Sequence, residues 1–191
     1  MGRDNDFEGK VIALTGGASG IGLATSEILH RRGASISIAD IDQDALDNAA
    51  SKFKGNGNDR IVLTKLDVTD RKAVDAWIAA TVQRFGHLSG AANCAGVIGK
   101  HHGTRTVESL EDDQWDLILG VNLTGMMYSL RAELGAIKGE GSVVCVGSVQ
   151  GLMGFAGHAA YAASKHGMLG LVRSAAKEVG GRGTRVNCIC P

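Results

Sequence analysis

The stretch KVIALTGGASGIG, residues 10–22, decides the fold. Its apolar start predicts a buried strand over 10–15, and the apolar spacing beyond the glycines predicts a helix over 20–32. Between them lies TGGASGIG, Thr15 to Gly22. Small residues let a backbone approach a pyrophosphate, and a helix N-terminus offers N–H donors to its oxygens. The arrangement predicts a nucleotide-binding loop, with a purely structural glycine turn as the alternative.

The rest of the chain alternates short apolar runs with longer amphipathic ones. Strands that alternate with helices indicate a parallel sheet with right-handed crossovers. We therefore predict an α/β fold, a doubly wound parallel sheet with helices on both faces, as one domain. Further strands are predicted at 34–40, 60–67, 141–148 and 184–191, and residues 87–96 are predicted to be a strand that runs into a loop. Further helices are predicted at 42–54, from a cap at Asp67 or Thr69 to Phe85, at 112–137 and at 159–180.

Composition excludes several classes of protein. The chain has 20 basic and 20 acidic side chains, so nothing favours nucleic acid or an anionic membrane as partner. The N-terminus lacks the apolar region of a signal peptide, and the uncharged stretch 141–164 contains too many Gly and Ser for a membrane span. A cytoplasmic protein is expected, with buried reduced thiols and no zinc pattern at its four cysteines: Cys94, Cys145, Cys188 and Cys190.

Asp40 bears on the choice of dinucleotide. It ends the second predicted strand, 18 residues after Gly22. A carboxylate at this separation accepts hydrogen bonds from the ribose hydroxyls of NAD and repels the 2′-phosphate of NADP. Ser19 is neutral, so no basic residue of the loop pairs with that phosphate. NAD is predicted over NADP, although a solvated aspartate at a strand end is the alternative.

Tyr161 and Lys165, in HAAYAASKHG (158–167), form an i, i+4 pair that shares one helix face. Bringing a phenol from its ordinary pKa of about 10 to neutrality needs about 4 kcal/mol. One cation at about 4 Å and an effective dielectric constant of about 20 supplies about that amount. The hypothesis is that Lys165 makes Tyr161 an acid–base catalyst. Ser148 ends the fifth predicted strand, where its hydroxyl can hold a substrate oxygen against the phenol.

These motifs occur together with several others, in one order along the chain: TGGASGIG (15–22), Asp40, LDV (66–68), NCAG (93–96), VNLTG (121–125), Ser148, YAASK (161–165) and RVNCICP (185–191). In this series the chain resembles the short-chain dehydrogenase/reductase family over essentially its whole length. Two departures do not touch the chemistry. Cys94 replaces the second Asn of the family's NNAG, and Gly147 stands where a second Ser is frequent.

The resemblance implies a Rossmann-type sheet of strand order 3-2-1-4-5-6 and hydride transfer between NAD(H) and a secondary alcohol or ketone. It implies that Tyr161 exchanges the proton of the substrate oxygen and that Ser148 positions this oxygen. Lys165 would also bind the nicotinamide ribose, and Asn122 would hold a water that continues a proton relay through Lys165. The alternative is a family member that binds the dinucleotide in a sensor, scaffold or non-redox role.

The resemblance also implies contacts along the two ligands. Asp67 and Val68 would meet the adenine. The full set of cofactor residues is Gly16, Ala18, Ser19, Gly20, Ile21, Gly22, Asp40, Ile41, Asp67, Val68, Asn93, Ala95, Gly96, Tyr161, Lys165 and Pro191. The set of substrate residues is Val97, Gln150, Met153, Phe155 and His158, with Ile98 and Leu152 nearby. Because this set is mostly apolar, a fairly hydrophobic substrate of medium size is expected. No metal is expected, and GKHHG (99–103) is predicted to be a solvated or pocket-rim loop.

Assembly and extent follow from the resemblance in the same way. Family members commonly form tetramers or dimers through the helices equivalent to 112–137 and 159–180, so a homotetramer or homodimer is expected. They continue for several dozen residues beyond the position of Pro191, with a substrate-covering loop and a final strand. The expectation is that residues 1–191 form a single dinucleotide-binding and catalytic domain without these two elements.

Overall fold

A computed structural model of the chain describes residues 6–53 and 58–191. Its strands are β1 (Val11–Thr15), β2 (Ser35–Asp40), β3 (Ile61–Lys65), β4 (Gly90–Asn93), β5 (Gly141–Val146) and β6 (Thr184–Ile189). Within these described ranges, the six strands form one sheet in the order β3-β2-β1-β4-β5-β6, and all neighbouring pairs are parallel. The predicted α/β sheet and its strand order are confirmed. The predicted end of the second helix, at residue 54, and the first five residues lie outside the described residues.

The main helices are α1 (Gly20–Arg31), α2 (Gln43–Lys52), α3 (Arg71–Phe85), α4 (Asp112–Leu119), α5 (Met126–Ala136) and α6 (Ala159–Val179). The helix predicted over 112–137 is interrupted. A π-helical segment, Gly120–Gly125, separates α4 from α5. Such segments insert one extra residue per turn and often lie at functional sites.

The predicted cap of the third helix was wrong. The N-cap of α3 is Asp70, whose carboxylate accepts a hydrogen bond from the backbone N–H of Ala73 at 3.1 Å. Asp67 instead accepts from the backbone N–H and the hydroxyl of Thr69, at 2.8 and 2.7 Å. The two predicted caps therefore satisfy each other in the turn that precedes the helix.

Helices cover both faces of the sheet, as predicted. On one face α3, α5 and α6 pack in a cluster that includes Trp77, Leu130 and Val172, and on the other α2 contributes Leu46 and Ala49. Continuous apolar runs such as KVIALT are typical of strands that are buried on both faces. No helix of the described ranges is long and apolar enough to cross a bilayer.

The prediction of buried thiols was wrong for three of the four cysteines. Cys145 in β5 is fully buried, but Cys94, Cys188 and Cys190 are half-buried. Cys94 and Cys190 follow the last residues of β4 and β6, and β6 is an edge strand. Thiols at a strand end or on an edge strand lack the cover that the central strands receive.

The register brings the predicted site residues to one rim of the sheet. Thr15, the last residue of β1, lies opposite Ala39 of β2 and Asn93 of β4, and Asn93 lies opposite Cys145 of β5. The loops that follow these strands therefore emerge side by side at their carboxyl ends. In doubly wound sheets this rim is where ligands bind.

Candidate active site

The glycine loop between β1 and α1 combines close packing with an open surface. Gly16 has φ +60°, and a Cβ there would lie 2.7 Å from the backbone nitrogen of Ala95. A Cβ on Gly22 would overlap the carbonyl oxygen of Gly16. Gly20 has φ +48°, and its missing Cβ points into open space. Two glycines thus let the loop pack on its neighbours, and the third keeps its outer surface clear.

Gly22→Ala is expected to lower the free energy of unfolding by about 2–4 kcal/mol, because backbone must move to admit the methyl group. Chemical denaturation measures this change. Gly170→Ala is the control: it lies in α6, and a Cβ there meets nothing within 4 Å. That control should gain up to about 1 kcal/mol from helix propensity. Equal stabilities for the two variants would contradict the close contact of the loop.

The start of α1 can receive an anion. Ser19 is its N-cap, but the side chain makes no capping hydrogen bond, and no acidic residue lies in the first turn. The free N–H groups and the dipole at such an end favour a phosphate. The predicted pyrophosphate position therefore fits the donors that this chain presents.

Asp40 is the last residue of β2, and its side chain also forms a hydrogen bond to the glycine loop. Its Oδ2 accepts from the backbone N–H of Ala18 at 3.1 Å, and its Oδ1 accepts from that of Asp42 at 3.2 Å. The residue is only 9% exposed. Each carboxylate oxygen has a second lone pair, so ribose hydroxyls can still donate to it. The two backbone donors thus hold this side chain in place at the carboxyl end of β2.

The other predicted cofactor residues follow the same rim. Val68 is buried against Gly125, whereas Asp67 is exposed. Exposed along the rim are Ser19, Gly20, Ile21, Ile41, Gly96 and Pro191; Gly16 and Ala95 are half-buried, and Ala18 and Asn93 are buried. Pro191 joins the rim because its carbonyl accepts from the N–H of Val149 at 2.7 Å.

Tyr161 and Lys165 lie one turn apart on α6, as the spacing predicts. The Lys165 Nζ is 5.6 Å from the centroid of the Tyr161 ring and donates to the carbonyl of Val146 at 2.9 Å. Lys165 is 4% exposed. Burial lowers the pKa of this ammonium below its ordinary value, and nearby thiols oppose the effect. At the carboxyl end of β5, α6 thus places a buried cation beside a phenol ring.

Asn122 lies in the π-helical segment and is fully buried. Its Oδ1 accepts from the N–H of Val97 at 2.8 Å, and its Nδ2 donates to the carbonyl of Val97 at 2.9 Å and to Ser164 Oγ at 3.1 Å. The side chain therefore ties the loop after β4 to α6. The relay water stays a prediction, and both amide donors of Asn122 are already engaged.

Ser148 caps a short 3₁₀ turn, Val149–Gly151, after β5. Its Oγ accepts from the N–H of Gln150 at 3.2 Å, which leaves the hydroxyl proton free to donate. Its neighbour Gly147 is buried, and a Cβ there would lie 2.7 Å from Cys188 Sγ. Contact with Cys188 explains why this chain has glycine before Ser148.

His102 lies beside Tyr161, a position that the sequence reasoning did not predict. Its ring lies 3.9 Å from that of His158 and 5.2 Å from that of Tyr161, between centroids. The N–H of Gly103 donates to the carbonyl of Gly157 at 3.0 Å, which holds the GKHHG loop against the start of α6. Burial, and secondly the charge of His158, lowers the pKa of His102. The loop is thus a pocket rim, and the only sequence signal was the pair of adjacent histidines.

The surface beside Ser148 and Tyr161 is mostly apolar. Large side chains exposed there are Ile98, Val149, Leu152, Met153 and Phe155. Two polar atoms among them, Gln150 Oε1 and His158 Nδ1, are buried and have no hydrogen-bond partner among the residues that the structure describes. No cluster of His, Cys, Asp and Glu able to hold a metal occurs in the described part of the chain.

A parallel sheet with this glycine loop, a strand-end acid and a Ser, Tyr and Lys at one rim defines a dinucleotide-binding oxidoreductase domain. Residues 10–191 match the family model described as short chain dehydrogenase. The chain is 53% identical over 183 residues to short-chain dehydrogenase/reductase ABA4 of Pyricularia oryzae, which covers 96% of this chain and 68% of that one. It is therefore a member of the short-chain dehydrogenase/reductase family.

Two further relatives extend the comparison. Levodione reductase of Leifsonia aquatica is 37% identical over 188 residues, covering 97% of this chain and 69% of that one. The crystal structure of carveol dehydrogenase from Mycobacterium avium in complex with NAD superposes with a TM-score of 0.90 at 30% identity. That match covers 96% of this chain and 70% of the other. The likeness to solved structures thus spans nearly all of the present chain.

Proposed function

We propose that this chain is an NAD(H)-dependent oxidoreductase that interconverts a secondary alcohol and a ketone, with Tyr161 as general acid and base. The observation that carries the proposal is the pairing of Tyr161 with the buried cation of Lys165, 5.6 Å from its ring centroid. A cation that has no acidic partner among the described residues stabilises a neighbouring phenolate.

The roles of the chain's own residues follow from their positions. The Ser148 hydroxyl donates to the substrate oxygen and orients it toward the phenol. Tyr161 gives a proton to this oxygen in reduction and removes one in oxidation. Lys165 keeps the phenolate form accessible. A nicotinamide coenzyme held along the glycine loop would supply or accept the hydride.

The donors of the glycine loop support a dinucleotide, and Asp40 supports NAD over NADP. The loop presents free N–H groups at the start of α1 and open space above Gly20. The fixed carboxylate of Asp40 would repel a 2′-phosphate. The NAD bound in the carveol dehydrogenase structure is in line with this choice.

The coenzyme choice is tested by thermal unfolding of the chain with NADH and, separately, with NADPH. At about 100 times its Kd a ligand adds about 2.7 kcal/mol, or roughly 5–10 °C for a chain of this size. We expect this shift with NADH and a much smaller one with NADPH. Asp40→Ala should reduce the difference between the shift in unfolding temperature with NADH and the shift with NADPH. A shift with NADPH alone would overturn the choice of NAD.

Turnover tests the reaction itself. A panel of apolar ketones and alcohols is assayed through the absorbance of NADH, with small polar sugars as the contrasting set. The apolar surface around Ser148 favours the first set. Turnover of sugars alone would contradict the hydrophobic substrate. Coenzyme binding without turnover on any carbonyl or alcohol would favour the sensor, scaffold or non-redox alternative.

Assembly and location belong to the same proposal. Trp115 and Leu117 are exposed on α4, one of the helices through which a homodimer or homotetramer is proposed to form. The four cysteines are all unpaired, which supports the reducing environment of the cytoplasm. Sedimentation of the purified chain measures its oligomeric state.

A further inference from the structure

Glu133 on α5 is a buried carboxyl group that the proposed chemistry does not use. It is 1% exposed and forms no ion pair within the part of the chain that the structure describes. Burying a carboxyl group is costly unless it is hydrogen-bonded or neutral. Its Oε2 accepts a hydrogen bond from Asn93 Nδ2 at 2.8 Å.

The hydrogen-bond chain continues from Asn93 to the end of β1. Thr15 Oγ1 donates to Asn93 Oδ1 at 3.1 Å, and both residues are almost fully buried. The Asn93 amide is therefore held from both sides, by a carboxyl group on α5 and by a hydroxyl on β1. A buried network of hydrogen bonds favours one arrangement of the elements that it joins.

The network lies directly beneath the glycine loop. Thr15 and Asn93 are the last residues of β1 and β4 and lie opposite each other in the sheet. Beyond them, the N–H of Cys94 donates to the carbonyl of Thr15 at 3.0 Å, and Gly16 packs on the backbone of Ala95. A shift of Asn93 would therefore move both sides of the loop.

We propose that Glu133 is a positioning residue of the coenzyme site, which acts through Asn93 to fix the ends of β1 and β4 and thereby the glycine loop. The inference rests on the proposed function, because it takes the loop to be where the dinucleotide binds. Glu133 touches neither coenzyme nor substrate. Its contribution is to the affinity for the coenzyme rather than to the chemical step.

The same burial makes the network sensitive to protons. It raises the pKa of Glu133 from 4.5 to about 7, although the hydrogen bond from Asn93 opposes the shift. The titratable group that faces it is the Cys145 thiol on β5, whose pKa is raised by burial and secondly by the charge of Glu133. That thiol stays protonated near neutral pH. Glu133 is thus the member of this network that changes charge near pH 7.

The raised pKa of Glu133 sets the direction in which stability changes with pH. Between pH 4.5 and about 7 the folded chain holds a proton on Glu133 that the unfolded chain has lost. Where the folded state binds more protons than the unfolded state, the free energy of unfolding falls as the pH rises. The contribution of Glu133 to stability is therefore present below pH 4.5 and is lost as the pH rises through about 7.

The experiment compares the NADH Kd and the unfolding temperature of the wild-type chain, Glu133→Gln and Glu133→Met. Glutamine keeps an acceptor for Asn93 Nδ2, so the Kd should stay within about twofold. Methionine removes the acceptor, so the Kd should rise about tenfold or more, equivalent to about 1.4 kcal/mol. Between pH 5 and 8 the unfolding temperature of the wild type should fall relative to that of Glu133→Gln.

Controls separate positioning from general loss of stability. Ile137→Val is buried at the end of the same helix and should lower the unfolding temperature without changing the Kd. Thr15→Val cuts the opposite end of the network and should weaken coenzyme binding in the same direction as Glu133→Met. It also replaces Glu133→Met in the test if that variant fails to fold.

Three outcomes would count against the proposals. Unchanged Kd values in Glu133→Met, or in Thr15→Val where the first does not fold, would overturn the positioning role while leaving the proposed function intact. A pH dependence that is the same in wild type and Glu133→Gln would overturn the proton sensitivity. A wild-type chain that binds neither NADH nor NADPH would overturn the proposed function, and the inference with it.

Discussion

Tyr161→Phe is expected to lower kcat by about 10²- to 10⁴-fold, the usual contribution of a positioned general acid or base. The substitution removes the phenolic oxygen and keeps the ring, which is in edge-to-face contact with His102. Packing at the start of α6 should therefore persist. Steady-state kinetics with the best alcohol or ketone of the panel measures the effect.

Coenzyme binding distinguishes a lost catalyst from a damaged site. The NADH-induced rise in unfolding temperature should be nearly the same in Tyr161→Phe and wild type, since the glycine loop is untouched. Tyr128→Phe is the matched control: this half-buried tyrosine lies on α5 beside Arg131, away from the rim. It should retain wild-type turnover. Full turnover in Tyr161→Phe would refute the acid–base role.

The fold was accessible from the sequence because its central strands β1, β2 and β4 are buried at nearly every position. The first four residues of β1, Val11 to Leu14, are all apolar, and such runs between amphipathic segments leave few alternatives to a parallel sheet. The pair of Tyr161 and Lys165 was accessible for a similar reason. An i, i+4 spacing on a helix fixes a shared face whatever surrounds it.

Other parts of the site depend on contacts that no local pattern reports. A prediction of one continuous helix over 112–137 assumes a regular helical period and so does not reveal an inserted π-helical segment. The hydrogen bonds of Asn122 to Val97, which lie at this segment, were therefore not predicted from the sequence. Likewise, the place of His102 follows from a hydrogen bond between Gly103 and Gly157, which are distant in sequence.

Glu133 did leave a signal in the sequence. It lies seven residues after Met126 and four before Ile137, so it shares the helix face of these buried side chains. A carboxyl group within an apolar stripe indicates either a buried network or a misplaced helix. The structure decides for the network, since Asn93 meets the carboxyl group at 2.8 Å.

Lys165→Met is the second substitution with a large expected effect: kcat should fall by about 10²-fold or more, because the phenolate of Tyr161 loses its cation. Affinity for the coenzyme should fall too, since the lysine is proposed to bind the nicotinamide ribose. Lys177→Met, near the exposed end of the same helix, is the control and should keep both properties.

The same substitution should leave stability unchanged or raise it. Lys165 is buried without an acidic partner among the described residues, and burial lowers its pKa from 10.5. An apolar side chain of similar length avoids this desolvation, which offsets the lost hydrogen bond to Val146.

The pH dependence gives a second test of that argument. The folded chain gives up the Lys165 proton more readily than the unfolded chain, so wild-type stability should rise as the pH approaches 10.5 from below. Lys165→Met should lack this rise, and the difference between the two unfolding curves isolates it from other groups. A variant that is inactive and also far less stable than wild type would show that Lys165 is needed for folding. A variant that is inactive and at least as stable would show a cation retained for function at the expense of stability.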